Sequence, residues 1–250
     1  MDILLCGCCG YMGKVVTACV DARSDCRIVA GVDLQTDVAL PFPVFAQADQ
    51  CTVKADVIID FSFHAAIREI LEFAVSRKIP AVIATTGFTN EELQLIEEAE
   101  KQIPVFRSAN MSLGINLICE LAKQAARFLP DLDIEIIEKH HNQKVDSPSG
   151  TALMIADEIS SVLPAEMEYV HGRSGICGKR TKNEIGIHAV RGGTIVGEHE
   201  VLFAGKDEMI TLTHTATSRE IFANGALKAA HYLPSKPAGR YDMSDLINGR

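Results

Sequence analysis

Ile3-Leu4-Leu5-Cys6-Gly7-Cys8-Cys9-Gly10-Tyr11-Met12-Gly13-Lys14 is the stretch that decides the fold. Its opening apolar run suits a strand buried on both faces. Lys14 to Val20 has helical spacing, so the three glycines fall on a strand-to-helix turn. Each has a physical task there. Gly7 makes the tight turn, Gly10 lets a pyrophosphate approach the backbone, and Gly13 lets the helix pack on the strand. The spacing is Gly-x-x-Gly-x-x-Gly rather than the commoner Gly-x-Gly-x-x-Gly. A second strand, Arg27 to Val32, ends at Asp33, twenty positions beyond Gly13. A carboxylate at that place is expected to hold the ribose hydroxyls of an adenosine. Taken singly, it reads equally as a loop acid after any strand. Strand, glycines, helix, strand and acid in series predict dinucleotide binding.

The alternation continues outward from this stretch. Strands are predicted at Ala55–Phe61, Ala81–Ala84 and Pro104–Arg107. Between them lie a helix from Ala65 to Arg77 and one opened by the capping box Thr89-Asn90-Glu91-Glu92 and running through Lys101. Strands separated by helical lengths imply a parallel, doubly wound sheet with right-handed crossovers. Ligands of such sheets sit beyond the carboxyl ends of the strands. Phe61-Ser62, Ala84-Thr85-Thr86-Gly87 and Ser108-Ala109-Asn110-Met111 are therefore expected to line the nicotinamide side. Thr85, Thr86 and Asn110 read equally as helix caps or turn residues.

From Ser112 the character changes. A long helix runs to Leu129, where Pro130 stops it, and an alternating strand follows from Asp133 to Ile137. Next comes Glu138-Lys139-His140-His141-Asn142-Gln143-Lys144-Val145-Asp146-Ser147-Pro148-Ser149-Gly150-Thr151, and then a helix from Ala152 to Ile159. Two imidazoles and an ammonium thus sit where a strand gives out, and Ser149-Gly150-Thr151 opens a helix. The first N–H groups and positive dipole end of that helix suit an anion. A general acid, a cation and an anion cradle this close together suggest a pocket for a small acidic molecule. The bland alternative is a surface histidine pair before an ordinary helix start with Pro in its first turn.

Three further alternating runs, Ile185–Val190, Thr194–Phe203 and Met209–Ala216, predict an antiparallel hairpin set with one face free for another subunit. His188, His199 and His214 lie on these strands and read as structural or interface residues. Thr217-Ser218-Arg219-Glu220 reads as a second capping box before a helix from Ile221 to Leu233. The tail, Tyr241 to Ile247, is expected to pack back on the first domain. Lys179-Arg180-Thr181-Lys182, within the Gly-rich stretch Gly172 to Gly186, reads as a solvated loop or as a lid. The fold class is α/β: a Rossmann-like doubly wound parallel sheet plus an α+β domain with a mostly antiparallel sheet. Residues 1–111 and 222–250 are assigned to dinucleotide binding, and 112–221 to substrate binding and oligomerisation.

Composition narrows the function. Hydrophobic content of 47% and charged content of 23% are those of an ordinary globule. The net charge of -9 argues against nucleic acid, since no basic stripe neutralises phosphates. A local Lys/His cluster can still dominate a pocket for an anionic substrate. Six of the eight cysteines fall in the first 51 residues, and no second pair completes a zinc site with Cys6 and Cys9, so no metal is expected. The chain start lacks a signal-peptide pattern and no run is long enough to span a membrane, so a cytoplasmic location with reduced thiols is expected.

Glu138-x-His140-His141-x-x-Lys144-x-Asp146-x-Pro148-Ser149-Gly150-Thr151-Ala152 closely resembles the signature of the dihydrodipicolinate reductases. The resemblance extends along nearly the whole chain, through Gly7-x-x-Gly10-x-Met12-Gly13, Asp60-Phe61-Ser62, Thr85-Thr86-Gly87-Phe88, Ala109-Asn110-x-Ser112-x-Gly114-x-Asn116, Arg191-x-Gly193-x-Ile195-Val196-Gly197-Glu198-His199 and Phe222-Ala223-Asn224-Gly225-Ala226. It implies reduction of 4-hydroxy-tetrahydrodipicolinate to tetrahydrodipicolinate and water by NADH or NADPH, on the diaminopimelate route to lysine. It further implies His140 as the acid/base residue and Lys144 as a proton donor and carboxylate partner. His141 would contact the substrate, a cyclic dicarboxylate, while Gly150 and Thr151, with Ser149, would bind its carboxylate at the helix start. The cofactor loops would be Gly7, Cys8, Cys9, Gly10, Tyr11 and Met12, then Asp33, then Ala84, Thr85 and Thr86, then Ser108, Ala109, Asn110 and Met111. A homotetramer is the implied assembly. Many relatives carry a basic residue where this chain has Tyr11, and Gly where it has Ala84. Asp33 is followed by Leu34-Gln35-Thr36, with no arginine to receive a 2′-phosphate, so NADH is the expected preference, with Lys14 as the residue that would assist NADPH.

Overall fold

The computed structural model describes residues 1–249. The chain forms two compact units: Met1–Leu113 together with the chain from Arg219 onward, and Gly114–Ser218.

The first unit opens with β1 (Asp2–Cys6), α1 (Tyr11–Asp21), β2 (Arg27–Val32), β3 (Val44–Phe45) and β4 (Val57–Asp60). It continues with α2 (Ile67–Arg77), β5 (Ala81–Ile83), α3 (Asn90–Glu100) and β6 (Pro104–Arg107). The intervening unit holds α4 (Leu113–Phe128, whose first residue belongs to the first unit), β7 (Asp133–His140), α5 (Gly150–Ser160), β8 (Glu168–His171), β9 (Glu184–Arg191), β10 (Gly197–Ala204) and β11 (Met209–Ala216). The chain then returns to the first unit with α6 (Glu220–Tyr232), β12 (Gly239–Tyr241) and α7 (Met243–Asn248).

The first sheet runs β12-β6-β5-β4-β1-β2-β3, and its strand pairs are parallel. The alternation of side chains along β1 explains its two buried faces. Ile3 and Leu5 enter one core with Val16 and Val20 of α1 and Ala223 and Leu227 of α6. Leu4 and Cys6 enter the other, with Ile67, Ile70 and Phe73 of α2 and Ile96 of α3. A strand covered on both faces must be apolar throughout, which is why this run shows no polar alternation. The capping box before α3 forms as its sequence requires: Thr89 Oγ1 accepts from the Glu92 amide and the Glu92 carboxylate accepts from the Thr89 amide.

The second sheet is mixed, in the order β11-β10-β7-β9-β8. β10 pairs antiparallel with both β7 and β11, whereas β9 pairs parallel with β7 and with β8. The predicted β9–β10 hairpin is therefore a correction. The two strands flank β7 on opposite sides, and Gly192-Gly193 arches past its end, where the Gly192 amide donates to the His140 carbonyl at 2.9 Å and the Asn142 amide to the Gly193 carbonyl at 3.2 Å. β7, with a buried residue at every second position from Ile134 to His140, takes the central place.

Three other expectations change. The strand before the histidine pair does not stop at Ile137 but runs through His140. β10 begins at Gly197 rather than Thr194. The Thr217–Glu220 capping box does not form, because α6 starts one residue after Arg219, which serves as N-cap without a side-chain cap bond. β3, β8 and β12, all short, had no clear periodicity in the sequence. The loop from Gly172 to β9 is exposed over most of its length, yet two arginines tie it down. Arg173 and Arg180 both pair with Glu135, and Arg180 also reaches Asp133 and the Ile134 carbonyl.

Candidate active site

In the first unit, the glycine turn has the conformation its sequence requires. Gly7 takes a φ of +75°, open to glycine at little cost, and a Cβ there would strike the Phe61 carbonyl. A Cβ at Gly13 would strike the Gly7 carbonyl, so the first turn of α1 can lie against the strand end only without one. Gly10 differs: it is exposed, with only the Gly7 carbonyl (3.3 Å) near the place of a Cβ. It is also the N-cap of α1 and makes no side-chain cap bond. A helix start left open in this way fits a phosphate chain approaching backbone amides.

Asp33 follows β2 beside that turn. Its Oδ2 accepts from the Cys9 amide at 2.9 Å and its Oδ1 from the Gln35 amide at 3.0 Å. The carboxylate is thereby oriented by two amides, with further lone pairs left over. A groove of about 440 Å³ runs along Gly7, Gly10, Asp33, Leu34, Phe61 and Phe63, and among the described residues no lysine or arginine lines it. Cys8 is buried under the turn, Met12 packs on the core, and Tyr11 is exposed with the Arg219 guanidinium 4.7 Å above its ring.

The other expected cofactor residues do not line this groove. They lie at the carboxyl ends of β5 and β6, where the switch-point rule places ligand loops. Thr85 is buried, its Oγ1 donating to the Ser62 carbonyl at 3.2 Å. Ala84 is half-buried and Thr86 exposed. Ser108 Oγ donates to the Asn110 carbonyl at 2.8 Å, the Asn110 side chain accepts from the Ser112 amide at 2.8 Å, Ala109 is exposed, and Met111 enters the core.

In the second unit the site grows out of the core. The register aligns Phe203, Ile134 and Ile185 across β10, β7 and β9, then Val201, Ile136 and Ile187. These six pack with α4 and α5. Two residues further, on the same face, the rungs turn polar: His199 lies opposite Glu138, and His140 opposite Arg191. Glu138 is fully buried. A carboxylate placed there must be paired or neutralised. The two terminal nitrogens of Arg191 donate to its two oxygens at 2.7 Å each, the Ser149 amide donates at 2.9 Å, and His140 Nδ1 lies 2.6 Å away. Burial, the largest single influence on Glu138, opposes ionisation, yet Arg191, His140 and the Ser149 amide together hold its carboxyl below the usual range.

An ionised carboxylate only accepts hydrogen bonds, so the Nδ1 of His140 carries hydrogen and, in the neutral ring, Nε2 carries the lone pair. Burial lowers the proton affinity of His140, Glu138 opposes that, and Lys144 and Arg191 add to it, for a net downward shift. A Cβ at Gly197 would come within 3.1 Å of Nε2, so glycine keeps that side uncrowded. His199 stands edge-on to His140, with ring centroids 5.2 Å apart. Its Nε2 lies 3.1 Å from Ser149 Oγ, which caps α5 by accepting from the Ala152 amide at 3.2 Å. Gly150 and Thr151 form the first turn of α5. Lys144 Nζ pairs with Asp146 Oδ1 at 2.8 Å, and His141, just beyond the strand, is half-buried.

Sequence reasoning missed Glu138, Arg191 and His199 as members of this cluster. The period-two pattern held a signal for the first, since Glu138 continues the stripe of Ile134 and Ile136. Arg191 and His199 become neighbours of His140 only through the strand register.

A dinucleotide-type turn on one unit and a buried histidine–carboxylate cluster on another define a pyridine-nucleotide-dependent oxidoreductase. Comparison with known proteins makes this specific. Family models described as dihydrodipicolinate reductase N-terminus and C-terminus match residues 1–111 and 114–247. The 4-hydroxy-tetrahydrodipicolinate reductase of Caldanaerobacter subterraneus subsp. tengcongensis is 56% identical over 98% of this chain and 97% of its own length. That of Clostridium tetani is 53% identical over 98% and 96%. A solved dipicolinate-bound dihydrodipicolinate reductase from Paenisporosarcina sp. TG-14 superposes with a TM-score of 0.80 at 27% identity, covering 97% of each chain. The chain belongs to the dihydrodipicolinate reductase family. It is an NAD(P)H-dependent oxidoreductase.

Proposed function

We propose that this chain reduces 4-hydroxy-tetrahydrodipicolinate to tetrahydrodipicolinate in lysine and diaminopimelate biosynthesis, with His140 as the proton donor. The observation that carries the assignment of His140 is its buried imidazole, with Nδ1 held on an ionised carboxylate and Nε2 left for chemistry. The bound nicotinamide supplies a hydride. The balance of the reaction then needs one proton and releases one water as the 4-hydroxyl departs. His140 supplies the proton at the ring, where hydride addition would otherwise leave negative charge. Lys144, the backbone of Gly150 and Thr151 at the start of α5, Ser149 and His141 hold the two carboxylates of the substrate and fix its ring.

Residues Gly7 to Met12, Asp33, Ala84 to Thr86 and Ser108 to Met111 bind the cofactor. NADH is preferred: Asp33 presents a fixed carboxylate to the ribose, and among the described residues the groove lining offers no lysine or arginine to a 2′-phosphate. The enzyme works as a homotetramer in the cytoplasm, the outer face of its second sheet meeting another subunit. Among the described residues no helix is long and apolar enough to cross a membrane. The test is NADH oxidation on addition of freshly made dihydrodipicolinate-synthase product, with kcat/KM compared for NADH and NADPH. A clear NADPH advantage overturns the preference, and no oxidation with either overturns the assignment. Light scattering tests the tetramer.

A further inference from the structure

Glu138 is a fully buried carboxylate of the second unit's core, held by Arg191, His140 and the Ser149 amide. It sits on the stripe that buries Ile134 and Ile136, where an apolar side chain would satisfy packing alone. Replacing a buried ion pair by well-packed apolar residues is often neutral or stabilising, so packing does not account for a carboxylate and a guanidinium here. Their geometry does. Arg191 approaches Glu138 with both terminal nitrogens, and its NH2 also donates to the Asp146 carbonyl at 2.8 Å, which fixes the guanidinium against the loop carrying Lys144. The Ser149 amide takes a further place on Oε1. The remaining direction, from Oε2, is filled by His140 Nδ1 at 2.6 Å.

We propose that Glu138 and Arg191 act as one positioning unit for His140, the carboxylate holding Nδ1–H so that Nε2 faces the substrate, and the guanidinium holding the carboxylate. This rests on the reading of His140 as the proton donor. The strand geometry makes the unit rigid: Glu138 and His140 are two residues apart on one face of β7, and Arg191 is the register partner of His140 on β9. An imidazole beside a lone buried carboxylate would be held strongly as the cation and would release its proton reluctantly. Arg191 shares that carboxylate and offsets the pull. The charged and titratable groups facing His140 are Glu138 on its own strand, Lys144 in the following loop, itself paired with Asp146, Arg191 on β9, and His199 on β10, which burial keeps neutral near pH 7. From α5 the nearest contribution is the cap residue Ser149, a neutral group.

The experiment is a double-mutant cycle of Glu138→Gln and His140→Gln, with kcat measured across pH and the His140 ring nitrogens followed by 15N NMR. Glu138→Gln alone is expected to lower kcat by about 100-fold, the scale of a disabled general acid. It should also move the His140 titration to lower pH and mix its two tautomers. In the His140→Gln background the same change should have less than about a twofold further effect, because Glu138 acts only through His140. Should Glu138→Gln fail to fold, Arg191→Lys decides, since it keeps the charge and loses the two-pronged grip, and a kcat drop of about tenfold is expected. NADH affinity, measured in parallel, should be unchanged in every variant. Wild-type kcat and an unmoved His140 tautomer in the folded variants overturn the proposal, as do effects that simply add in the cycle. If His140→Gln itself keeps wild-type kcat, the reading of His140 falls instead, which separates the two failures.

Discussion

His199 Nε2 lies 3.1 Å from Ser149 Oγ, tying β10 to the first turn of α5 through two buried polar side chains. The imidazole is held neutral there: burial, followed by the nearby His140, pushes it down to about 4 from an ordinary value of 6.5. An unfolded chain would protonate His199 below pH 6.5 while the folded one resists down to about 4. Stability therefore falls as pH drops through that window, by on the order of 3 kcal/mol over its full width. Thermal melts of wild type and His199→Gln between pH 4 and 7 check this. The variant should show a flatter slope, and an equal slope would show that His199 is not the group responsible.

Asp60 makes the opposite case in the first unit. It is fully buried at the end of β4, where Oδ1 accepts from the Ser62 amide and hydroxyl and Oδ2 has no partner among the described residues. Burial raises its carboxyl above the usual value despite the Ser62 hydrogen bonds and the nearby Thr85 hydroxyl. The folded state thus favours the protonated acid, and the stability it gives is lost as pH rises through the raised value. Asp60→Asn, which stays neutral, should gain on wild type as pH climbs from 4 to 8. A melting-temperature difference constant across that range would contradict the argument.

The glycine turn separates folding from binding. Gly13→Ala drives a Cβ into the Gly7 carbonyl and should lower the melting temperature together with NADH affinity. Gly10→Ala meets only the Gly7 carbonyl at 3.3 Å, so the fold should survive. On the proposed cofactor reading its methyl group would occupy the space a pyrophosphate needs, and NADH affinity should drop by about tenfold or more, for a cost of about 1.4 kcal/mol. Melting curves and NADH fluorescence titration of the two variants decide it.

The proposed NADH preference rests on Asp33. Asp33→Asn keeps an acceptor for the Cys9 amide but removes the charge, so kcat/KM should fall for NADH and rise or hold for NADPH. A parallel fall with both cofactors would show that Asp33 shapes the turn without selecting the nucleotide.

Most of the fold was legible because local rules and global packing agree. The β1 run, the glycines, the α3 capping box and the β2 end at Asp33 each have a local signature that the structure keeps. The failures came where pairing is non-local. Nothing in the runs from Ile185 and Thr194 says that β7 will insert between them, so a Gly-Gly crossover looked like a hairpin turn. At the site, His140 and Lys144 stood out by residue type and spacing. Arg191 and His199 did not, since each meets the cluster only through strand register. Glu138 was missed too, although it continues the apolar stripe of Ile134 and Ile136, a misfit whose explanation is the Arg191 guanidinium.

The most direct test of the central claim is single-turnover reduction of freshly prepared 4-hydroxy-tetrahydrodipicolinate by the His140→Gln enzyme saturated with NADH. The expected result is a rate at least 100-fold below wild type, the size of a lost general acid, with NADH binding unchanged. A rate within a few-fold of wild type would contradict the account and move the proton donor away from His140.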